Sequence, residues 1–88
     1  MIIGIVKGTV VSTQKDERLV GSKLLIINQV DADKNVIGKD AVAVDLLGAG
    51  IGEYVLVCSG SSAKSLLHNS DVPIDMAIVG IIDSMERT

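Results

Sequence analysis

The chain has 88 residues, of which 48% are hydrophobic, so it is too short for two ordinary domains and too apolar for a disordered protein. Its formal net charge of −3 leaves no positive surplus for a nucleic-acid backbone or an anionic membrane, and we expect neither partner. Valine and isoleucine together number 23, against eight leucines and one aromatic residue, Tyr54. Because β-branched side chains favour pleated strands, this composition predicts one β-rich domain spanning residues 1–88.

The first half of the chain predicts three strands. Alternating residues from Ile2 to Thr13 predict the first strand, which a polar stretch at residues 14–18 follows. Apolar runs from Leu24 to Val30 and from Ala41 to Leu47 flank the turn-forming residues 31–35. These two runs therefore predict a β-hairpin.

The second half predicts a loop, two more strands and a helix. The glycine-rich residues 48–52 predict the loop, because glycine adopts backbone angles closed to other residues. Residues 53–59 form the predicted fourth strand, serines suited to capping favour a short helix at residues 61–68, and residues 76–83 predict the fifth strand. The expected fold is all-β with one short helix, a five-stranded barrel of the OB-like type.

Several predicted strands are apolar on both faces. Outward side chains of a monomeric barrel meet water and are mostly polar, yet Val6 and Val10 stand opposite Ile3 and Ile5 on the first strand. The last strand is also apolar on both faces. Exposed apolar surface of this extent marks an interface, so we expect self-association. Cover by loops or by the helix is the alternative.

No pattern predicts a cofactor or a structural metal. Gly48, Gly50 and Gly52 follow a strand, as in a phosphate-binding loop, but the residues after them predict a strand where such a loop needs a helix. One cysteine, Cys58, and one histidine, His68, provide neither an internal disulfide nor a zinc site, and they pair for catalysis only if the fold brings them together. We expect Cys58 in the core, because it alternates with other apolar residues of its strand.

Two further patterns have both a catalytic and a structural interpretation. Ser61 and Lys64 have the spacing at which a lysine takes the proton of a nucleophilic serine, but a helix cap followed by a solvated lysine also explains them. Asp45, Asp75 and Asp83 stand beside apolar runs. In the catalytic interpretation, two of these carboxylates would act as a general acid and a general base, because different environments separate their pKa values. Strand-end aspartates more often accept backbone N–H bonds or pair with a cation. We therefore predict that the protein is not an enzyme.

The apolar runs are far shorter than the roughly 20 residues that span a bilayer. The start, MIIGIVKG, has neither a basic leader nor a cleavage site. We expect a cytoplasmic protein.

Five segments occur in order along nearly the whole chain: VKGTVVSTQK (6–15), KLL (23–25), AVDLLGAGIGE (43–53), GSSAK (60–64) and PIDMAIVGIID (73–83). Together they resemble the bacterial microcompartment vertex proteins of the EutN/CcmL family. The most specific pieces are GAGIGE and the closing IDMAIVGIID. The resemblance implies a structural protein that assembles as a homopentameric ring and caps the vertices of a shell tiled by hexameric proteins.

The resemblance also implies positions for contact residues. Gly48, Ala49 and Gly50 would line a narrow opening on the five-fold axis. Subunit or shell contacts are predicted at Val6, Val10, Lys15, Glu53, Ser61, Lys64 and Asp83. The family commonly has arginine where this chain has Lys64, which weakens bidentate pairing there.

Some alternatives remain open from the sequence. The charged residues 15–18 are either a contact with hexameric tiles or a solvated loop. The runner-up function is a small OB-like barrel that binds a small ligand or an oligonucleotide, although strand binders need a basic groove and stacking rings. The residues do not distinguish a carboxysome from a catabolic compartment.

Overall fold

The computed structural model describes residues 1–13, 15–67 and 73–86, which form five strands, one α-helix and one 3₁₀ turn. The elements are β1 (Ile2–Val10), the 3₁₀ turn (Glu17–Leu19), β2 (Leu24–Val30), β3 (Val36–Asp45), β4 (Tyr54–Ser59), α1 (Gly60–Leu66) and β5 (Met76–Ile81). The prediction of five strands with one short helix before the last is confirmed. Neither helical segment of these described residues is long and apolar enough to cross a membrane.

The strands close into a barrel in the order β1-β2-β3-β5-β4. All neighbouring strands are antiparallel except β3 and β5, which run parallel. This parallel joint consists of two residue pairs, Val44 with Ala77 and Asp45 with Ile78. Closure of the barrel therefore depends on a short contact near the end of β3.

Inward-facing side chains fill the barrel. The main core cluster is Val6, Leu25, Ile27, Ala43, Ala49, Val55, Val57 and Ile78. Removing one large aliphatic side chain of this kind from water contributes about 1.5–3 kcal/mol. The β-branched residues that dominate the composition thus supply most of the interior.

Val6 belongs to this core, since its side chain is 1% exposed. The prediction that Val6 lies at a surface between subunits is therefore wrong. The reason is the alternation along β1, which turns Gly4 and Val6 inward and leaves Ile3 and Ile5 half-exposed on the other face.

Helix α1 covers part of the outside of the barrel. Its buried Ala63 packs against Cys58 of β4 and Ala77 of β5. The predicted burial of Cys58 is confirmed, but this residue is covered by the helix, whereas Tyr54 on the same strand face remains half-exposed. The N-cap residue Ser59 makes no side-chain capping bond, contrary to the predicted serine cap.

Two predicted strand boundaries are wrong by three residues or more, and the predicted ends of β3 and β5, Leu47 and Asp83, are each two residues too late. β1 ends at Val10 and not at Thr13, whereas β3 begins at Val36, five residues before the predicted start. Charged residues at positions 39 and 40 interrupt the apolar pattern of β3, but pairing with β2 continues through them. The hairpin itself is confirmed.

The hairpin turn at residues 31–35 uses the predicted aspartate chemistry. One carboxylate oxygen of Asp31 accepts the N–H groups of Asp33 and Asn35 at 2.9 and 3.0 Å. Lys34 has a left-handed φ of 68°, and its ammonium lies 5.1 Å from the centre of the Tyr54 ring. The Lys34 side chain thus reaches from the turn to the Tyr54 ring of β4.

Candidate assembly surface

Outward-facing side chains of four strands form an apolar surface. Their neighbours along each strand point into the core, so these residues lie on the outer side of the barrel, and each is half-exposed or exposed. We call this surface the outer apolar face. It consists of three cross-strand pairs: Ile3 with Leu56, Ile5 with Tyr54, and Ile26 with Val42.

A shallow depression lies at one side of the outer apolar face. Its volume is about 250 Å³, and its lining residues are Val10, Ile26, Asp40, Ala41 and Val42. The structure thus places Val10, one of the predicted contact residues, beside apolar side chains of two other strands. A concave apolar site on a strand face is suited to receive a side chain from another molecule.

A polar pair stands next to this depression. Asn28 is buried, and its side-chain amide donates a hydrogen bond to the carboxylate of Asp40, its cross-strand partner. This hydrogen bond gives the buried Asn28 amide a partner, and without one its burial would lower the stability of the fold. Asp40 remains exposed and gives the depression an acidic rim.

Asp45 fixes the loop between β3 and β4. Its side chain is fully buried and accepts the N–H groups of Leu47, Gly48 and Ala49 at 3.0, 3.1 and 2.9 Å. The ammonium of Lys23 lies 3.5 Å from a carboxylate oxygen of Asp45 and 3.5 Å from the carbonyl oxygen of Ala49. The structural interpretation of this strand-end aspartate is confirmed.

A second turn joins the same loop to β1. Glu53 accepts the N–H of Gly50 at 2.6 Å through its side chain, and its own N–H donates to the Gly50 carbonyl at 3.2 Å. Gly52 has a φ of 89°, the left-handed angle that the third position of a type II turn requires. Gly52 and Glu53 also exchange backbone bonds with Val6 at 2.8 and 3.0 Å, so the loop is attached to the barrel wall.

We expect Gly52→Ala to lower the free energy of unfolding by about 1–2 kcal/mol, because a side chain is disfavoured at this left-handed angle. Gly8→Ala is the matched control, since an added Cβ there would meet only Ile26, at an ordinary 3.6 Å. That change should leave stability unaltered or slightly raised. Urea denaturation at equal protein concentration measures both, and equal losses would contradict the assignment of strain to Gly52.

The three residues predicted to line an axial opening differ in exposure. Gly48 and Gly50 are exposed, but Ala49 is 2% exposed and belongs to the barrel core. The side chain of Ala49 therefore does not line an opening, because it packs in the core while the Ala49 N–H donates to the Asp45 carboxylate. Gly48 and Gly50 are exposed on the loop, and their position at an axial opening stays a prediction.

The remaining predicted contact residues lie on other parts of the chain. Ser61 is exposed on α1, and the half-exposed Lys64 shares a polar pocket of about 200 Å³ with Asp75. Asp83 is exposed beyond the end of β5. Among the described residues, no hydrogen bond joins Ser61 to Lys64, and His68 lies outside these residues.

The predicted tile-contact segment is charged but internally neutralised. Lys15 is exposed and donates to the Ser12 carbonyl at 3.4 Å. Asp16 and Arg18 form an ion pair of 2.7 Å, and the guanidinium holds the pKa of the Asp16 carboxyl well below its usual range. The segment therefore presents a paired surface rather than an isolated charge.

Several residues of the surface were not identified from the sequence. Lys23, Asn28 and Asp40 act through contacts between distant segments, which no local motif signals. Tyr54 and Leu56 alternate with buried valines on β4, and this alternation in the sequence indicates that they lie on the outer side of the strand. Within residues 1–13, 15–67 and 73–86, no group of three or more acidic, histidine or cysteine side chains is placed to hold a metal ion.

Comparison with known proteins gives matches over nearly the full chain. The carboxysome shell vertex protein CcmL of Nostoc sp. is 50% identical over 86 residues, covering 97% of this chain and 85% of that protein. The microcompartment shell vertex protein PduN of Salmonella typhimurium is 46% identical, with coverage of 91% and 92%. The solved GrpN pentameric microcompartment shell protein from Rhodospirillum rubrum has a TM-score of 0.88 and 45% identity, with complete coverage of both chains.

A family model described as ethanolamine utilisation protein EutN/carboxysome matches residues 1–83. The match includes all five strands, α1 and the loop fixed by Asp45. Together with relatives of 50% and 46% identity, it extends the resemblance found in the separate motifs to the continuous sequence. The chain belongs to the EutN/CcmL family.

Proposed function

We propose that this chain forms homopentamers that cap the vertices of a bacterial microcompartment shell in the cytoplasm. The observation that carries the proposal is the full-length match to a pentameric shell protein and to shell vertex proteins. The outer apolar face supports self-association, because exposed aliphatic side chains gain stability when a second copy covers them. The role is structural, and no catalytic step is assigned to the chain.

The geometry of a closed shell explains the role of a ring of five. Hexagonal tiles form a flat layer, and pentagonal units introduce the curvature that closes it. A cyclic ring is a head-to-tail assembly, so each copy must present two different surfaces to its two neighbours. The outer apolar face is our candidate for one of these surfaces.

The neighbouring shell components would be hexameric proteins of the same compartment. Lys15, Ser61, Lys64 and Asp83 are the candidate residues for the remaining subunit or shell contacts. Gly48 and Gly50 are the candidates for the axial opening, where the absence of side chains suits the convergence of five copies. The full or partial exposure of these residues supports the assignments.

The size of the particle in solution tests the proposal. Sedimentation or light scattering at several concentrations should find a persistent species near five times 9.2 kDa. A particle that remains at 9.2 kDa at every concentration would contradict the ring and favour a monomeric ligand-binding barrel. As a second measurement, closed shells should form when hexameric tiles are produced with this chain and should stay open without it.

A further inference from the structure

Most of β3 has a free backbone edge. On one side β3 pairs with β2 from Val36 to Val44, but on the other side it meets β5 only at Val44 and Asp45. Among the described residues, no backbone hydrogen bond reaches the second edge at residues 36–43. A strand with a free row of N–H and C=O groups is a template for pairing with another strand.

The register shows which residues direct their backbone groups to this edge. The Asp45 N–H donates to the Lys23 carbonyl of the neighbouring chain segment at 2.9 Å. Hydrogen-bonding direction alternates along an antiparallel ladder, and the register is regular from residue 40 to residue 44. Ala41 therefore bonds toward β2, whereas Asp40 and Val42 direct their N–H and C=O groups toward the free edge.

Apolar side chains lie at both ends of this edge, and the charged Lys39 and Asp40 lie between them. Charged residues and bulges normally keep a free edge from pairing, and the register shift of this strand precedes residue 40, so the regular stretch at residues 40–42 is the part suited to pairing. Here Val36, Ile37 and Val42 are 58%, 57% and 38% exposed. Val42 also belongs to the outer apolar face and lines the depression beside Val10, so the edge and the face form one continuous surface.

We propose that the free edge of β3 at residues 40–42 pairs through backbone hydrogen bonds with a strand of a second copy of this chain. This inference rests on the proposed ring of five and names the backbone groups that one of its two contact surfaces uses. A second copy is the occupant because the edge continues the outer apolar face, our candidate for a contact surface between copies, and the similar GrpN shell protein is pentameric. Strand pairing also fixes the relative direction of the two copies, which apolar contact alone does not.

Val42→Pro tests the pairing directly. Proline removes the N–H that points to the free edge and leaves the bonds of Ala41 to β2 intact, and edge strands tolerate proline in this orientation. We expect the barrel signal in circular dichroism to remain while the ring dissociates. The midpoint concentration for dissociation should rise roughly tenfold or more, since every contact between copies loses a hydrogen bond.

Two controls separate the backbone from the side chain and from the fold. Val42→Ala keeps the N–H and should keep a ring that dissociates at much lower concentration than Val42→Pro. Ala41→Pro removes a bond to β2 and should disturb the barrel itself. If Val42→Pro fails to fold, Val42→Lys decides the question, because a charged edge blocks pairing without removing a backbone bond.

The outcomes distinguish this inference from the function on which it rests. A wild-type chain that remains at 9.2 kDa overturns both the ring and the pairing. A wild-type ring with an unchanged Val42→Pro ring overturns the pairing alone. A Val42→Pro ring that forms normally but no longer joins hexameric tiles also overturns it, because the edge would then face another shell protein.

Discussion

Asp45→Ala should lower the free energy of unfolding by about 2–4 kcal/mol, because the loop loses a charged acceptor that serves three backbone N–H groups. The carboxylate is fully buried, and it is the acceptor for three backbone N–H groups of the loop after β3. Alanine would leave these donors and the Lys23 ammonium without their partner at one end of the barrel. The loop holding Ala49 in the core should loosen, so the loss includes packing as well as hydrogen bonds.

Urea denaturation at equal protein concentration measures this loss, because unfolding of an assembled protein depends on concentration. Asp75→Ala is the matched control: this residue also stands at a strand end, but it is exposed. The control should change stability by less than about 0.5 kcal/mol. Asp45→Asn keeps one acceptor oxygen and should fall between the two. Equal effects of Asp45→Ala and Asp75→Ala would contradict the role of the buried carboxylate.

The extent of β2 could be predicted from the sequence to the residue, whereas that of β3 could not. The run Leu24–Val30 is apolar apart from Asn28 and Gln29, so its pattern and its structure coincide. The first half of β3 contains a glycine and two charged residues, and it becomes a strand because the turn at residues 31–35 brings it against β2. Strand formation at such a segment depends on its partner, which a local pattern does not contain.

The face of a strand was harder to predict than its presence. β1 has apolar residues on both faces, so alternation alone assigns Val6 equally well to the interior and to the exterior. Gly4 lies on the inward face, where it is buried and where an added Cβ would meet the Asn28 carbonyl oxygen at 3.4 Å and the Ile27 side chain at 3.7 Å. The burial of Ala49 is likewise absent from the local pattern, because it depends on the bonds that Leu47, Gly48 and Ala49 each donate to Asp45.

The excess of apolar residues noted in the sequence has two explanations in the structure. At the β4–β5 end, α1 covers Cys58 and Ala77, so the alternative of cover by the helix holds there. The outer apolar face, which runs from the first half of β4 across β1 and β2 to β3, stays half-exposed or exposed, and Leu56 and Val42 are 36% and 38% exposed. Apolar content alone therefore does not separate core from contact surface.

Ile27→Ala and Ile51→Ala separate these two uses of isoleucine. Ile27 is fully buried at the centre of the barrel, so truncation should lower the free energy of unfolding by about 2–5 kcal/mol through lost burial and the cavity left behind. Ile51 is 70% exposed at the tip of the turn closed by Glu53, and its truncation should change stability by less than about 0.5 kcal/mol.

Urea denaturation of both variants at one protein concentration checks these values, and light scattering on the same samples reports the particle size. Ile27→Ala should weaken the barrel in the ring and in the dissociated chain alike, because its contacts lie within one copy. If Ile51→Ala lowers the stability of the dissociated chain as much as Ile27→Ala does, the exposed position of the turn is contradicted. A loss confined to the ring would instead place Ile51 under a neighbouring copy, since only there does assembly remove it from water.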